Sequence, residues 1–123
     1  MRVPIAYGLA WPGRVASGAK ALDFKAMTSM TFDVPDHQRF PGLQLAWDVL
    51  SAPVGTPAIL NAANEVAVAA FLDKRIRFDQ IHALNCATLA AVSAPAIGGI
   101  DDLLALDLKA RTFATKFASS MGV

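Results

Sequence analysis

Residues 56–74, TPAILNAANEVAVAAFLDK, decide how this chain folds. Thr56 and Pro57 read as a helix start, a hydroxyl at the N-cap followed by a proline whose missing N–H has no helical acceptor to lose. Ile59, Ala63, Val66 and Ala70 then recur at helical spacing, and Leu60, Ala67 and Phe71 widen the stripe. Lys74 and Arg75 end the segment with cations, which suit the negative end of a helix dipole. So many alanines on one stripe allow neighbouring helices to approach closely.

The same pattern continues outward. Residues 41–51 form a helix with Pro41 in its first turn and Leu43, Ala46, Trp47 and Leu50 on one face, ended by Pro53 and Gly55. Downstream, Asp79 is expected as the N-cap of a helix with the stripe Ile81, Leu84, Thr88, Leu89 and Val92, ended by Ala94-Pro95. Gly98-Gly99 reads as a turn, Asp101 as the cap of a single turn over 102–105, and Asp107 as the cap of a last helix over 108–120. That last helix faces Ala110, Phe113, Ala114 and Phe117 inward. Short connections between amphipathic helices imply a small antiparallel bundle.

Residues 1–39 lack this regularity. Pro4, Gly8, Pro12, Gly13, Gly18 and Pro35 interrupt every run. Two turns of helix fit 3–10, opening at Pro4 and stopped by Gly13. Residues 22–34, LDFKAMTSMTFDV, read as extended, with threonines that favour strand. Phe24, Met27, Met30 and Phe32 have no partner within the segment, and a lone strand satisfies neither its backbone nor its faces. The expected architecture is mainly α: a short helix and an extended linker in 1–39, not self-sufficient, followed by a helical bundle in 40–123 that carries its own core.

Composition bounds the function. The chain has 123 residues, with hydrophobic residues at 54%, charged residues at 17% and a formal net charge of +1. This length suits one domain and buries roughly two-thirds of its unfolded surface without staples. Whole-chain disorder needs the opposite composition. A near-neutral chain with scattered basic residues is not expected to bind nucleic acid. No run approaches the ~20 apolar residues of a membrane span, and residues 1–12 show no leader pattern. With Cys86 as the single cysteine, a cytoplasmic protein is expected.

The chemistry-bearing residues are few. No Gly-rich phosphate loop, G-x-S-x-G, paired cysteines or H-E-x-x-H occurs. His37 lies in a polar loop and His82 beside a helical stripe, so both read as solvated or boundary residues rather than ligands. Cys86 reads as a packed thiol. Asp101 and Asp102 are explained by capping, Trp11 and Trp47 by apolar anchoring. Asn61, Asn64 and Glu65, the only glutamate, share one helix edge. They form either a polar binding cluster or a structural hydrogen-bond set, and the second reading explains why asparagines are tolerated mid-helix. No catalytic, cofactor-binding or metal-binding residue emerges from the residues alone.

Met1-Arg2-Val3-Pro4-Ile5-Ala6, Ala10-Trp11-Pro12-Gly13-Arg14, Ser17-Gly18 and Leu22-Asp23-Phe24, followed by the run Leu60 to Leu72 and Ile76-Arg77-Phe78, together resemble the late part of 1-deoxy-D-xylulose 5-phosphate reductoisomerase. Thr31-Phe32, Pro35-Asp36, Arg39-Phe40-Pro41, Asp101-Asp102, Asp107 and Ala110-Arg111 also fit, in the same order. The resemblance implies an NADPH- and Mg- or Mn-dependent reaction that yields 2-C-methyl-D-erythritol 4-phosphate in non-mevalonate isoprenoid synthesis. It implies that this chain is the last third of such an enzyme, with its first residue an internal methionine of a longer frame. The dinucleotide-binding, metal-binding and phosphate-binding residues belong to the part not matched here. Met1 alone is carried over, as a residue bordering the nicotinamide pocket in the full-length family. The chain by itself is expected to bind no cofactor and to be inactive. Its expected partners are the missing N-terminal and catalytic domains, or a second copy through residues 1–39; an independent interaction or oligomerisation module is the alternative.

Overall fold

The computed structural model describes residues 1–21, 23–26 and 29–122. Its helices are α1 (Arg2–Ala10), α2 (Gly42–Leu50), α3 (Thr56–Leu72), α4 (Phe78–Ala91) and α5 (Ile100–Ser120). Among the described residues there is no strand. Among the described residues of the stretch expected to be extended, Phe24–Ala26 form a turn and none lies in a strand, and the expectations resting on Leu22 and Met27 lie outside the described residues. Two compact units divide the chain, Met1–Val34 and Pro35–Val123, so residues 35–39 group with the bundle rather than with the linker.

In the first unit, α1 buries no residue. Tyr7 meets Trp11 edge to face at 5.6 Å, the Arg14 guanidinium lies 4.8 Å over the Tyr7 ring, and Arg2 donates to the Gly18 carbonyl at 3.2 Å. The Trp11-Pro12 peptide bond is cis. Phe24, Met30, Phe32 and Val34 are exposed, as the absence of a partner within the segment implies.

In the second unit α3 is central, packed on α4 and α5 along their lengths and on α2 at one end. Its alanines do the work expected of them. Ala62, Ala63, Ala67 and Ala70 are fully buried, and so are Ala110 and Ala114 of α5. Helix backbones can come close only where facing side chains are this small. One core cluster joins Ile59 and Ala62 to Val92, Leu106 and Ala110. A second joins Ala63, Ala67 and Ala70 to Ile76, Leu84, Ala114 and Ala118. Position along α3 therefore rises with position along α5 and falls along α4. The three helices run up, down and up, with α4 antiparallel to both neighbours.

Three boundaries differ from expectation, each for a local reason. Gly55, at φ 97°, is the N-cap of α3, and Thr56 already lies in the helix, its hydroxyl donating to the Pro53 carbonyl at 2.7 Å. Arg77 precedes α4, its N–H donating to the Gln80 side-chain oxygen at 2.7 Å, while Asp79 sits inside the first turn and pairs with Arg77. The last helix is continuous from Ile100. Asp102 reaches back to accept from the Gly98 N–H at 2.8 Å, and Asp107 pairs with Arg111 one turn on instead of capping. An Asp–Arg pair at this spacing supports a helix interior, so nothing breaks the chain between 105 and 108.

Candidate functional site

Asn61, Asn64 and Glu65 stand on one edge of α3, as their spacing requires, and the bundle divides them between two neighbours. Asn61 donates to Glu65 Oε1 at 3.1 Å, and Arg111 of α5 donates to Glu65 Oε2 at 2.7 Å. Arg111 also donates to both Asp107 oxygens, at 2.7 and 3.1 Å. Asn64 turns the other way and accepts from Asn85 of α4 at 3.1 Å. The edge is thus one ion-pair bridge from α3 to α5 and one amide bridge from α3 to α4. That is the structural hydrogen-bond set, although Asn61, Asn64 and Glu65 stay exposed rather than sealed. Hydrogen bonds from Arg111 and then Asn61 hold the Glu65 carboxyl below its ordinary range, and those to Asp107 and Glu65 raise the Arg111 guanidinium.

Arg111 was not evident as the bridging residue from the sequence. The i, i+4 spacing of Asp107 and Arg111 was its one local signal, and the expectation of a cap at Asp107 hid it. Asn85, which no sequence pattern singles out, is buried and ties two helices.

Of the remaining candidates, His82 and Cys86 come into contact. Cys86 Sγ lies 3.4 Å from His82 Nε2, one turn apart on α4, both half-buried. His82 Nδ1 and Asn85 Oδ1 are buried without a partner. His82, Asn85 and Asn64 line a groove of about 440 Å³ whose other wall is the turn at Arg39, Phe40 and Pro41. His37 is exposed, and the Asp36 carboxylate beside it accepts from the Gln38 and Arg39 N–H groups at 2.9 and 3.0 Å. Met1 is 89% exposed. Among the described residues, no three His, Cys, Asp or Glu side chains come together to hold a metal ion. Nor does the chain contain the glycine-rich loop that cradles a dinucleotide.

No helix is long and apolar enough to cross a membrane among the described residues. Residues 1–113 match the family described as DXP reductoisomerase C-terminal domain. The chain belongs to that family. Its relatives include the 1-deoxy-D-xylulose 5-phosphate reductoisomerase of Chlorobium phaeobacteroides, 52% identical over 111 residues, which cover 90% of this chain and 29% of that protein. That of Dechloromonas aromatica is 52% identical over 114 residues, covering 93% and 29%. Among solved structures, the reductoisomerase from Zymomonas mobilis in complex with NADPH superimposes with a TM-score of 0.82 at 41% identity, covering 96% of this chain and 31% of that one. A DOX-P reductoisomerase in complex with NADPH, fosmidomycin and magnesium gives 0.82 at 32% identity, covering 99% and 33%. The chain therefore spans less than a third of the length of these curated relatives, and the part it matches is their C-terminal helical domain.

Proposed function

We propose that this chain serves as the C-terminal supporting domain of a 1-deoxy-D-xylulose 5-phosphate reductoisomerase, in the cytoplasm, and does not catalyse the reaction alone. The observation that carries the reading is the family match over residues 1–113. The NADPH and magnesium of the reductoisomerase structures would then be held by the portion that precedes this domain. Its role is to stabilise that portion; nucleic acid and membranes are not among its partners.

The test is replacement. Purified chain supplied with NADPH, 1-deoxy-D-xylulose 5-phosphate and magnesium is expected to show no NADPH oxidation. A hybrid enzyme in which this chain replaces the matched third of the Chlorobium relative is expected to turn over within about tenfold of that relative. Turnover by the chain alone, or a folded hybrid without turnover, would overturn the reading. Held apart from such a body, the chain exposes Phe24, Met30 and Phe32. Exposed apolar groups of this kind favour association where they come together, so the isolated chain is expected to self-associate through residues 1–39 as its concentration rises in sedimentation.

A further inference from the structure

His82 and Asn85 stand one turn apart on α4, and each keeps a buried polar atom without a partner, Nδ1 of the imidazole and Oδ1 of the amide. Asn85 is only 6% exposed. A polar atom closed to water and left unpaired is costly, and nearly all such atoms in folded proteins are bonded. The other polar atom of each side chain is already engaged. Asn85 Nδ2 donates to Asn64 at 3.1 Å, and His82 Nε2 faces the Cys86 thiol at 3.4 Å. An imidazole nitrogen accepts more strongly than a thiol sulfur, so the thiol donates and the ring proton is assigned to Nδ1. The two bare atoms are therefore one donor and one acceptor, on neighbouring turns of one helix face.

Both residues line the groove of about 440 Å³ between α4 and the turn at Arg39–Pro41, a size that takes a small molecule. Phe40, Leu43, Phe78 and Ile81 supply its apolar walls. Apolar walls around one donor and one acceptor suit a flat ring with an amide in its own plane. A cyclic amide is held cis and shows its N–H and C=O side by side on one edge. An open peptide bond is trans and shows them on opposite edges. The turn can yield to admit such a ring. Its carboxylate and carbonyl at Asp36 accept from the N–H groups of Gln38, Arg39 and Phe40, and among the described residues none of its hydrogen bonds crosses to α4.

We propose that this groove binds a small planar cyclic amide, whose carbonyl accepts from His82 Nδ1 and whose N–H donates to Asn85 Oδ1. The residues involved all belong to the second unit. The inference goes beyond the supporting role proposed above and does not depend on it.

Titration of the whole chain with 2-pyridone, followed by heteronuclear NMR, tests the inference. The side-chain amide signals of Asn85, the ring signals of His82 and the backbone signals of residues 38–43 are expected to shift and saturate together. N-methyl-2-pyridone keeps the ring and the carbonyl but cannot donate. It is expected to bind at least about tenfold more weakly, because Asn85 Oδ1 then stays unpaired. His82→Phe keeps a flat ring in the wall and removes the donor. It is expected to weaken binding of 2-pyridone by about tenfold as well, with the helix content of the chain unchanged. Equal binding of 2-pyridone and its N-methyl form overturns the inference, since the groove would then be an apolar slot with no use for the two polar atoms. Shifts that leave Asn85 and His82 unmoved, or no saturable shift at all, also overturn it.

Discussion

Glu65 accepts from Asn61 with one carboxylate oxygen and from Arg111 with the other, so folding favours its ionised form and its pKa lies below the ordinary 4.5. A depressed carboxyl contributes stability that is present above its unfolded pKa and is lost as pH falls through the folded one. Glu65→Gln is therefore expected to lower the melting temperature slightly at pH 7, by a few degrees at most, because exposed ion pairs are weak. The gap between variant and parent should close as the pH is lowered below about 4.5. Melting curves at pH 7 and pH 3 check this; a gap that widens in acid would contradict it. The three α3 residues could be seen as one polar edge from spacing alone. Their partners could not, since Arg111 is 46 residues from Glu65 and Asn85 is 21 from Asn64, and no local pattern links such positions.

The start and the buried stripe of α3 each invite a prediction. Gly55 adopts φ 97° where the chain enters the helix, and a Cβ there would stand 3.0 Å from Leu106 Cδ2 and 3.3 Å from Ile97. Gly55→Ala is expected to cost about 2 kcal/mol, from the left-handed backbone and the crowding together, measured by urea denaturation. On the stripe, Ala67 is fully enclosed within the cluster of Ala63, Leu84 and Ala114. Ala67→Leu must push α4 or α5 away and is expected to cost about 2 kcal/mol or more, again by denaturant titration. Periodicity located α3 and α4 because an apolar stripe is a property of one helix. It failed at α5, where a single turn capped by Asp101 and a separate helix capped by Asp107 were expected in place of one helix over Ile100–Ser120. An aspartate has the same appearance in sequence whether it caps a terminus or pairs with an arginine one turn on.

At the scale of the whole chain, the two compact units divide at Pro35, and the core residues all belong to the second, from Val49 to Ala118. Removing residues 1–34 is expected to leave the melting temperature of 35–123 within ~3 °C of the full chain, because no described residue of the first unit is buried and little stability is lost with it. Calorimetry on both lengths checks this, and a drop of ten degrees would show that the first unit stabilises the bundle. The helical class, the alanine-lined core and the family membership were all present in the order of residues, since each follows from local spacing or from collinear motifs. Which side of α2 faces inward, which polar side chains meet and where α5 begins were decided only by packing. Those outcomes depend on what another helix presents across the gap, and a linear pattern describes only the helix to which it belongs.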